Sequence, residues 1–254
     1  MPSGISSRLS QHRSALAKAL WTRPEHTQPR PFPSSLEVPV GQSWIANQPF
    51  VVGGSGKRYF DVCVALSSII LWLPLLCLIA IAVKFADRGP ILYRHRRVGR
   101  NGQAFDCLKF RTMVVDAEKI LDWQLTINCE AAREWEENHK LRRDPRITPL
   151  GTVLRKTSLD ELPQLFNILN GDMSFVGPRP IVVAEVPKYG QCITHYMCAR
   201  PGLTGPWQVG GRNDVDYARR VALDSQYVEN WSFWRDVAII TKTVRVIVTS
   251  RGCY

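Results

Sequence analysis

The distribution of apolar residues divides the chain into a polar N-terminal segment, one long apolar run, and a remainder in which apolar and polar residues alternate irregularly. Residues 62–83 carry no charged side chain and are nearly all apolar. A run of that length is enough to cross a bilayer as a helix, and a buried core helix is the alternative. Pro74 lies near its middle, where a proline removes a backbone hydrogen bond and kinks or breaks the helix.

Basic residues flank this run on both sides. Lys57 and Arg58 precede it, and six Lys or Arg side chains follow within residues 84–100. Because positive charge favours the cytoplasmic side of a membrane, we expect both flanks on that side. A helix that enters the bilayer, bends at Pro74 and returns satisfies both flanks, whereas a full crossing leaves one of them outside. We therefore predict a re-entrant membrane helix over residues 57–88, with a full crossing as the alternative.

A hairpin and a polar helix are predicted after the apolar run. An Asn-Gly pair at 101–102 separates two runs, residues 91–98 and 104–110, which is typical of a β-hairpin. Residues 113–141 are polar and acid-rich, and they predict a solvated surface helix. The predicted fold class is therefore mostly α with a small β-hairpin (α+β).

Two helices are predicted at the end of the chain, over residues 214–230 and 232–250. Trp231, Phe233 and Trp234 lie at or beside the start of the second helix, and basic residues follow them. Aromatic and basic residues on an apolar helix are typical of an amphipathic helix at a membrane interface. A plain core helix is the alternative.

The domain organisation follows from these patterns. Residues 1–56 are rich in Pro and Ser and carry more basic than acidic residues, so we predict a disordered basic tail. Residues 57–88 form the membrane helix, and residues 89–254 form a cytoplasmic domain that includes the amphipathic interfacial helices.

Composition narrows the class of partner. The chain has 33 Lys and Arg residues against 22 Asp and Glu, a net charge of +11. Such an excess indicates nucleic acid, an anionic membrane face or phosphorylated substrates. The seven cysteines are scattered and include no C-x-x-C pair. This argues against a disulfide framework or a zinc site and favours a reducing compartment.

Residues 155–169 carry the strongest candidate for chemistry. Arg155 and Lys156 precede two adjacent carboxylates, Asp160 and Glu161. Since a proline at 163 belongs in a first helical turn, we expect a helix to begin near Asp160, with both acids at the positive end of its dipole. Four apolar residues recur at helical spacing and predict one buried face, namely Leu162, Leu165, Phe166 and Leu169.

Two interpretations of this stretch remain open. The spacing of Ser158 and Glu161 fits a capping box, and Asp160 fits a helix N-cap. In the other interpretation the two acids are a catalytic pair. A carboxylate that attacks phosphorus must be ionised, and a helix N-terminus with neighbouring cations keeps it so.

Further cations lie in stiff or glycine-rich segments. Prolines on both sides of Arg179 restrain its backbone. Arg200 and Arg212 bracket a glycine-rich segment, and Lys109 and Arg111 lie at the end of the second hairpin strand. Exposed amides and arginine forks suit phosphate and nucleobase recognition, with an ordinary irregular loop as the alternative.

Eight short motifs follow one another along the chain. They are KRYFD at 57–61, GP at 89–90, RVG at 97–99, Phe105 with KFRTM at 109–113, SLDELPQ at 158–164, GDMS at 171–174, GPRP at 177–180 and RPGLTG at 200–205. In this order they resemble the bacterial sugar transferase family, the monotopic polyprenyl-phosphate phosphoglycosyl transferases. The resemblance covers about residues 57–250 and extends in particular to exopolysaccharide-initiating galactose phosphotransferases.

The resemblance implies an activity. A nucleotide-diphosphate sugar, UDP-galactose or UDP-glucose, donates its sugar 1-phosphate to undecaprenyl phosphate, which gives the lipid diphosphate sugar and UMP. The family's nucleophile matches Asp160, and its metal-linked partner matches Glu161, which implies Mg²⁺ as cofactor. Arg155 matches a phosphate-binding arginine of the family. Further candidates for the donor or lipid phosphates are Lys109, Arg111, Arg179, Arg200 and Arg212.

The resemblance also implies a location. We expect the bacterial inner (cytoplasmic) membrane, with its lipids as partners and the catalytic domain on the cytoplasmic face. Some family members carry Ser-Pro at the membrane break. Leu73 precedes Pro74 here, which leaves the bend angle open.

A membrane-tethered basic protein that binds nucleic acid or partners without catalysis is the competing hypothesis. It accounts for the charge and for the apolar run, but it does not require adjacent carboxylates among arginines. We therefore expect no nucleic acid partner. The sequence does not decide which sugar is transferred, nor between a monomer and a homo-oligomer.

Overall fold

The computed structural model describes residues 51–138, 141–210 and 216–248. These residues are mostly helical with two small sheets, which confirms the predicted fold class. The elements in chain order are α1 (Gly54–Asp87), β1 (Leu92–Val98), β2 (Ala104–Phe110), α2 (Ala117–Ile127), α3 (Cys129–Asn138), α4 (Pro149–Lys156), α5 (Gln164–Asn170), β3 (Ser174–Val176), α6 (Val186–Tyr189), α7 (Ile193–Cys198), β4 (Gly202–Thr204), α8 (Pro206–Val209), α9 (Tyr217–Glu229) and α10 (Phe233–Val248).

Helix α1 contains the whole apolar run in 34 residues. The helix continues through Pro74, so the predicted break does not appear as a helix end. A proline removes one hydrogen bond, and uninterrupted turns on both sides preserve the helix. In the described part of the chain, α1 is the one helix long and apolar enough to cross a membrane.

The start of α1 lies within the predicted tail. The helix begins at Gly54, and Val52 just before it is buried in a cluster that includes Ala199 and Tyr227. Residues 52–56 are therefore packed or helical, where the sequence predicts a disordered tail. The rest of the predicted tail, residues 1–50, lies outside the described residues.

Both halves of α1 pack against the rest of the fold. Ala65 in the first half joins a buried cluster with Leu165, Ile168 and Met173. In the second half, a separate cluster forms from Leu76, Ile79, Val83, Phe110 and Leu154. Residues 70–74 between the two clusters are exposed, and four of these five side chains are large and apolar.

Strands β1 and β2 form the predicted hairpin. They pair antiparallel from Leu92 opposite Phe110 to Val98 opposite Ala104. Asn101 in the connecting turn has a φ of 55°, a left-handed conformation that asparagine adopts more readily than most residues. Since directly opposite residues share a face of the sheet, one face carries Tyr93, His95, Arg97, Phe105, Cys107 and Lys109.

A second, parallel sheet was not predicted. Strand β3 pairs with β4 through Ser174 opposite Gly202 and Val176 opposite Thr204. The two glycines at 177 and 202 permit this approach, because a Cβ on either would overlap the backbone of the other segment. The sheet brings Gly177, which follows β3, beside Gly205, which precedes α8.

The predicted polar helix of residues 113–141 is two helices, α2 and α3. Asn128 has extended backbone angles and ends α2, and its side-chain oxygen accepts hydrogen bonds from the amides of Glu130 and Ala131 at the start of α3. The last two predicted helices are confirmed as α9 and α10 with narrower bounds. Trp234 of α10 is 77% exposed.

Candidate active site

The two adjacent carboxylates lie on a 3₁₀ turn between α4 and α5. The turn spans Leu159–Glu161, and α5 begins only at Gln164. Ser158 adopts a left-handed conformation, with φ of 57°, and its side chain makes no capping hydrogen bond. A helical turn therefore begins close to the predicted start, but as a 3₁₀ turn, with α-helical structure only from Gln164. The capping-box interpretation is wrong.

The orientation of α5 differs from the predicted one. Leu165 and Ile168 are buried, whereas Phe166, predicted on the buried face, is 42% exposed. Asn167 explains the rotation, because its side chain is also buried. Its Oδ1 accepts from the amide of Leu108 (2.9 Å) and its Nδ2 donates to the carbonyl of Asp106 (2.8 Å). These bonds fix α5, and with it the carboxylate pair, beside β2.

The end of β2 supplies the polar partners of the carboxylate pair. Lys109 Nζ lies 2.6 Å from Glu161 Oε1, a salt bridge in which both side chains are partly exposed. Two residues after β2, Thr112 accepts a hydrogen bond from Arg155 Nε at 2.8 Å. Arg155 lies in the last turn of α4, where cations stabilise the helix C-terminus. Strand β2 and helix α4 thus bring two cations to the acids.

Burial dominates the electrostatics of Asp160. This residue is 9% exposed. Burial, and next the charge of Glu161, raise its pKa to about 6, while Lys109 and Arg155 act in the opposite direction. The two cations act in the predicted direction, but α5 begins four residues later and desolvation outweighs their effect on the pKa. With this pKa the carboxyl group is mostly ionised at neutral pH.

His95 and Arg97 lie on the same hairpin face as Lys109. An Arg97 nitrogen lies 3.1 Å from His95 Nδ1, and since a guanidinium only donates, this ring nitrogen is the acceptor. Burial, then Arg97, Lys109 and Arg179, lower the pKa of His95 to about 4. The imidazole is therefore neutral. Arg179 lies close enough for its charge to act on His95.

The other predicted phosphate-binding arginines lie elsewhere. Arg111 forms a partly buried salt bridge with Asp87 at the end of α1. Arg200 Nε donates to the carbonyl of Gly171 (2.9 Å), just beyond α5. Because α5 spans about 10 Å, Arg200 lies at the opposite end of this helix from the carboxylate pair. Arg212 lies outside the described residues.

The carboxylate pair is chemically suited to Mg²⁺. Among the residues that the structure describes, no group of three or more His, Cys, Asp or Glu side chains is arranged to hold a metal ion. Mg²⁺ does not need such a group, because it is usually bound by one or two carboxylates together with substrate phosphates and water. Asp160 and Glu161 fit that requirement.

Sequence reasoning missed His95, Arg97 and Thr112 as members of this region. The hairpin itself contained a signal for the first two. Once the turn sets the register, residues at alternate positions of β1 must share a face with Lys109. No sequence pattern predicts the contact between Thr112 and Arg155, because these residues are 43 positions apart.

Known proteins share much of this sequence. The bacterial sugar transferase family model matches residues 53–250. The chain is 52% identical over 203 residues to exopolysaccharide production protein ExoY of Rhizobium meliloti, covering 80% of this chain and 90% of that protein. It is 50% identical over 198 residues to undecaprenyl-phosphate galactose phosphotransferase of Salmonella typhimurium, covering 78% of this chain but only 41% of that longer protein.

A further relative transfers a different sugar according to its name. It is UDP-glucose:undecaprenyl-phosphate glucose-1-phosphate transferase of Caulobacter vibrioides, 40% identical over 208 residues, covering 78% of this chain and 72% of that protein. The family model spans all the site residues described above. This match favours a sugar transferase over a non-enzymatic basic tether. The chain belongs to the bacterial sugar transferase family.

Proposed function

We propose that the chain transfers a hexose 1-phosphate from a UDP-sugar to undecaprenyl phosphate, as the first membrane step of exopolysaccharide repeat-unit assembly. The observation that carries this proposal is the placement of Asp160 beside Glu161, with Lys109 and Arg155 next to them. A buried carboxylate that is mostly ionised at neutral pH is suited to attack phosphorus, and the adjacent cations are suited to bind the anionic substrate.

The reaction proceeds in two displacements at one site. An oxygen of Asp160 attacks the sugar-bearing phosphorus of the donor, the bond from that phosphorus to the UMP oxygen breaks, and UMP leaves. A phosphate oxygen of undecaprenyl phosphate then attacks the same phosphorus. The bond to Asp160 breaks, which regenerates the carboxylate and yields the lipid diphosphate sugar. This route lets a water-soluble donor and a lipid acceptor use one nucleophile in turn.

Charge neutralisation is the main task of the surrounding groups. Lys109, Arg155 and Arg179 bind phosphate oxygens as negative charge shifts to the leaving group. We assign Mg²⁺ to Glu161, whose carboxylate would hold the ion and lies 2.6 Å from Lys109 Nζ in this structure. When bound, Mg²⁺ offsets the charge of the diphosphate.

We further propose that α1 is re-entrant and anchors the chain to the cytoplasmic face of the bacterial inner membrane. A straight helix of 34 residues is about 50 Å long, enough to place its ends on opposite sides of a bilayer. Yet both ends bind the same domain. Arg58 donates to the carbonyls of Ile168 and Leu169, and Asp87 pairs with Arg111. The exposed apolar residues 70–74 lie between these anchors.

The re-entrant arrangement predicts that both flanks of α1 stay on the cytoplasmic side. Single cysteines introduced at Gly56 and at Arg88, in a variant whose own cysteines are replaced, are expected to resist a membrane-impermeant thiol reagent in intact cells. Both are expected to react after the inner membrane is made permeable. Reaction of either position in intact cells, with periplasmic access checked by a control protein, contradicts re-entry and favours a full crossing.

Galactose is the sugar that we propose. A relative at 50% identity is named for galactose transfer, whereas a relative named for glucose transfer is 40% identical. In nanodiscs with undecaprenyl phosphate and Mg²⁺, UMP release is expected to be fastest with UDP-galactose and slower with UDP-glucose. Multiple turnovers are expected only when the lipid is present. Absence of lipid-dependent UMP release with every UDP-hexose contradicts the proposed reaction, and a faster rate with UDP-glucose contradicts the sugar assignment alone.

A further inference from the structure

Two arginines from distant parts of the chain lie against the same indole ring. The Arg179 guanidinium carbon is 5.1 Å from the centre of the Trp207 ring, and that of Arg220 is 4.6 Å from it. Trp207 is buried, whereas Arg179 is exposed and Arg220 is partly exposed. Contact with the ring attracts both cations and restrains side chains that are otherwise flexible. We call Arg179 and Arg220 the arginine pair.

A buried carboxylate lies close to the arginine pair. Asp224, on the same helix as Arg220, is 2% exposed. Its Oδ2 accepts from the Tyr189 hydroxyl at 2.9 Å, and its Oδ1 has no hydrogen-bond partner. Burial raises its pKa to about 7, against the effects of Tyr189 and of both arginines. Glu185 also acts on this region, where it lies 3.8 Å from Arg97, and Lys188 lies over the Tyr217 ring. The described cations here, Arg97, Lys188, Arg179 and Arg220, outnumber the two carboxylates, so this region favours an anion.

The surroundings of the arginine pair indicate a water-soluble anion. In the described parts of residues 167–232, no large apolar side chain is exposed. The exposed apolar residues lie instead on α1, on α10 and on the segments before residue 167. A lipid phosphate would bring its hydrocarbon chain with it, and the described parts of residues 167–232 offer no large exposed apolar side chain to such a chain.

The arginine pair is also connected to the carboxylate pair. The charge of Arg179 acts on His95 and Cys107 of the hairpin, the same two residues that feel the charge of Lys109. Lys109 in turn contacts Glu161. Arg179 and Lys109 therefore act on the same face of the hairpin, which links the arginine pair electrostatically to the carboxylate pair.

We propose that Arg220, together with Arg179, binds the phosphate of the nucleotide that leaves in the first displacement, and that Trp207 is the positioning residue that holds the arginine pair. This inference rests on the proposed function, because it assigns the ligand as the UMP part of the donor. It adds to the site a residue, Arg220, that neither the sequence motifs nor the carboxylate pair identified.

The test compares two neighbouring arginines of α9. Binding of UMP to the full chain in nanodiscs, without acceptor lipid, is measured by calorimetry for Arg220→Gln and for Arg219→Gln, since Arg219 is exposed and one residue away. Loss of a hydrogen-bonded charge partner is expected to weaken UMP binding on the order of tenfold or more in Arg220→Gln. Arg219→Gln is expected to stay within about twofold of the unchanged chain, because it loses only a distant surface charge.

Steady-state kinetics distinguishes the nucleotide from the lipid phosphate. Arg220→Gln is expected to raise the KM for the UDP-sugar by a similar factor and to leave the KM for undecaprenyl phosphate unchanged. Trp207→Phe, which keeps an aromatic ring, is expected to retain UMP affinity within about threefold, whereas Trp207→Leu loses about as much as Arg220→Gln. A thermal melt of each variant separates this loss from unfolding.

Two outcomes overturn the inference. One is equal UMP binding by Arg220→Gln and Arg219→Gln, and the other is an effect of Arg220→Gln on the lipid KM alone. Both require that the unchanged chain binds UMP and transfers sugar phosphate. If the unchanged chain shows neither activity, the proposed function fails first, and the two failures are thus told apart.

Discussion

Replacing Asp160 by Asn is expected to reduce sugar-phosphate transfer on the order of 10³-fold or more, the scale seen when an enzyme loses its nucleophile. The change keeps the size of the side chain but substitutes an amide oxygen, which is a poor nucleophile, for a carboxylate. Asp160 is buried beside Glu161 with its pKa near 6, so the isosteric change should leave the fold intact. The measurement is UMP release with UDP-galactose and undecaprenyl phosphate.

A covalent adduct gives an independent readout of the same role. Without acceptor lipid, the unchanged chain is expected to retain radiolabel from a donor labelled in its sugar phosphate, and Asp160→Asn is expected to retain none. Asp106→Asn is the matched control, because Asp106 forms an exposed salt bridge with Arg96 on the hairpin. Transfer by Asp160→Asn within tenfold of the control would remove Asp160 from the role of nucleophile.

Replacing Lys57 by Met is expected to destabilise the fold by about 3–5 kcal/mol, the usual cost of removing one partner from a buried ion pair. Lys57 at the start of α1 pairs with Asp236 of α10, and their side chains are 7% and 2% exposed. Asp236 also accepts hydrogen bonds from Tyr227 (2.7 Å) and Trp231 (3.0 Å). These two donors remain, but the buried negative charge loses its cation.

The loss is measured as a shift in the melting temperature in detergent. About 3–5 kcal/mol corresponds to a fall of roughly 6–20 °C for a chain of this size. Lys119→Met, which breaks the exposed pair with Asp116, is the control and is expected to cost less than about 1 kcal/mol. The double change Lys57→Met with Asp236→Leu should recover part of the loss. Equal melting temperatures for Lys57→Met and Lys119→Met would refute a structural role for the buried pair.

Local sequence patterns were sufficient for several elements. The hairpin follows from an Asn-Gly turn between two strand-forming runs, and the long helix follows from an uncharged apolar run. The two last helices were also predicted, with bounds that the structure narrows at Asp216, whose side chain caps α9. In these cases the residues that determine the element are neighbours in the sequence.

Other features depended on contacts between distant residues. Phe166 has the right spacing for a buried position, yet Asn167 binds the backbone of β2 and turns Phe166 outward. The parallel pairing of β3 with β4 joins segments nearly 30 residues apart, and neither segment has a strand pattern of its own. Hydrophobic periodicity predicts which residues share a face of a helix or strand. It does not predict which face packs against the rest of the fold.

The sequence by itself determined the chemical inventory of this protein: adjacent carboxylates, a set of cations in a fixed order, and one apolar helix with basic flanks. Only the tertiary structure decided how these groups are used. It placed Lys109 and Arg155 at the acids, paired Arg111 with Asp87, and brought Arg220 to Trp207 beside Arg179. It also raised the pKa of Asp160 to about 6. The physical reason is that desolvation and ion pairing depend on what surrounds a side chain in space, and most of those neighbours are remote in the sequence.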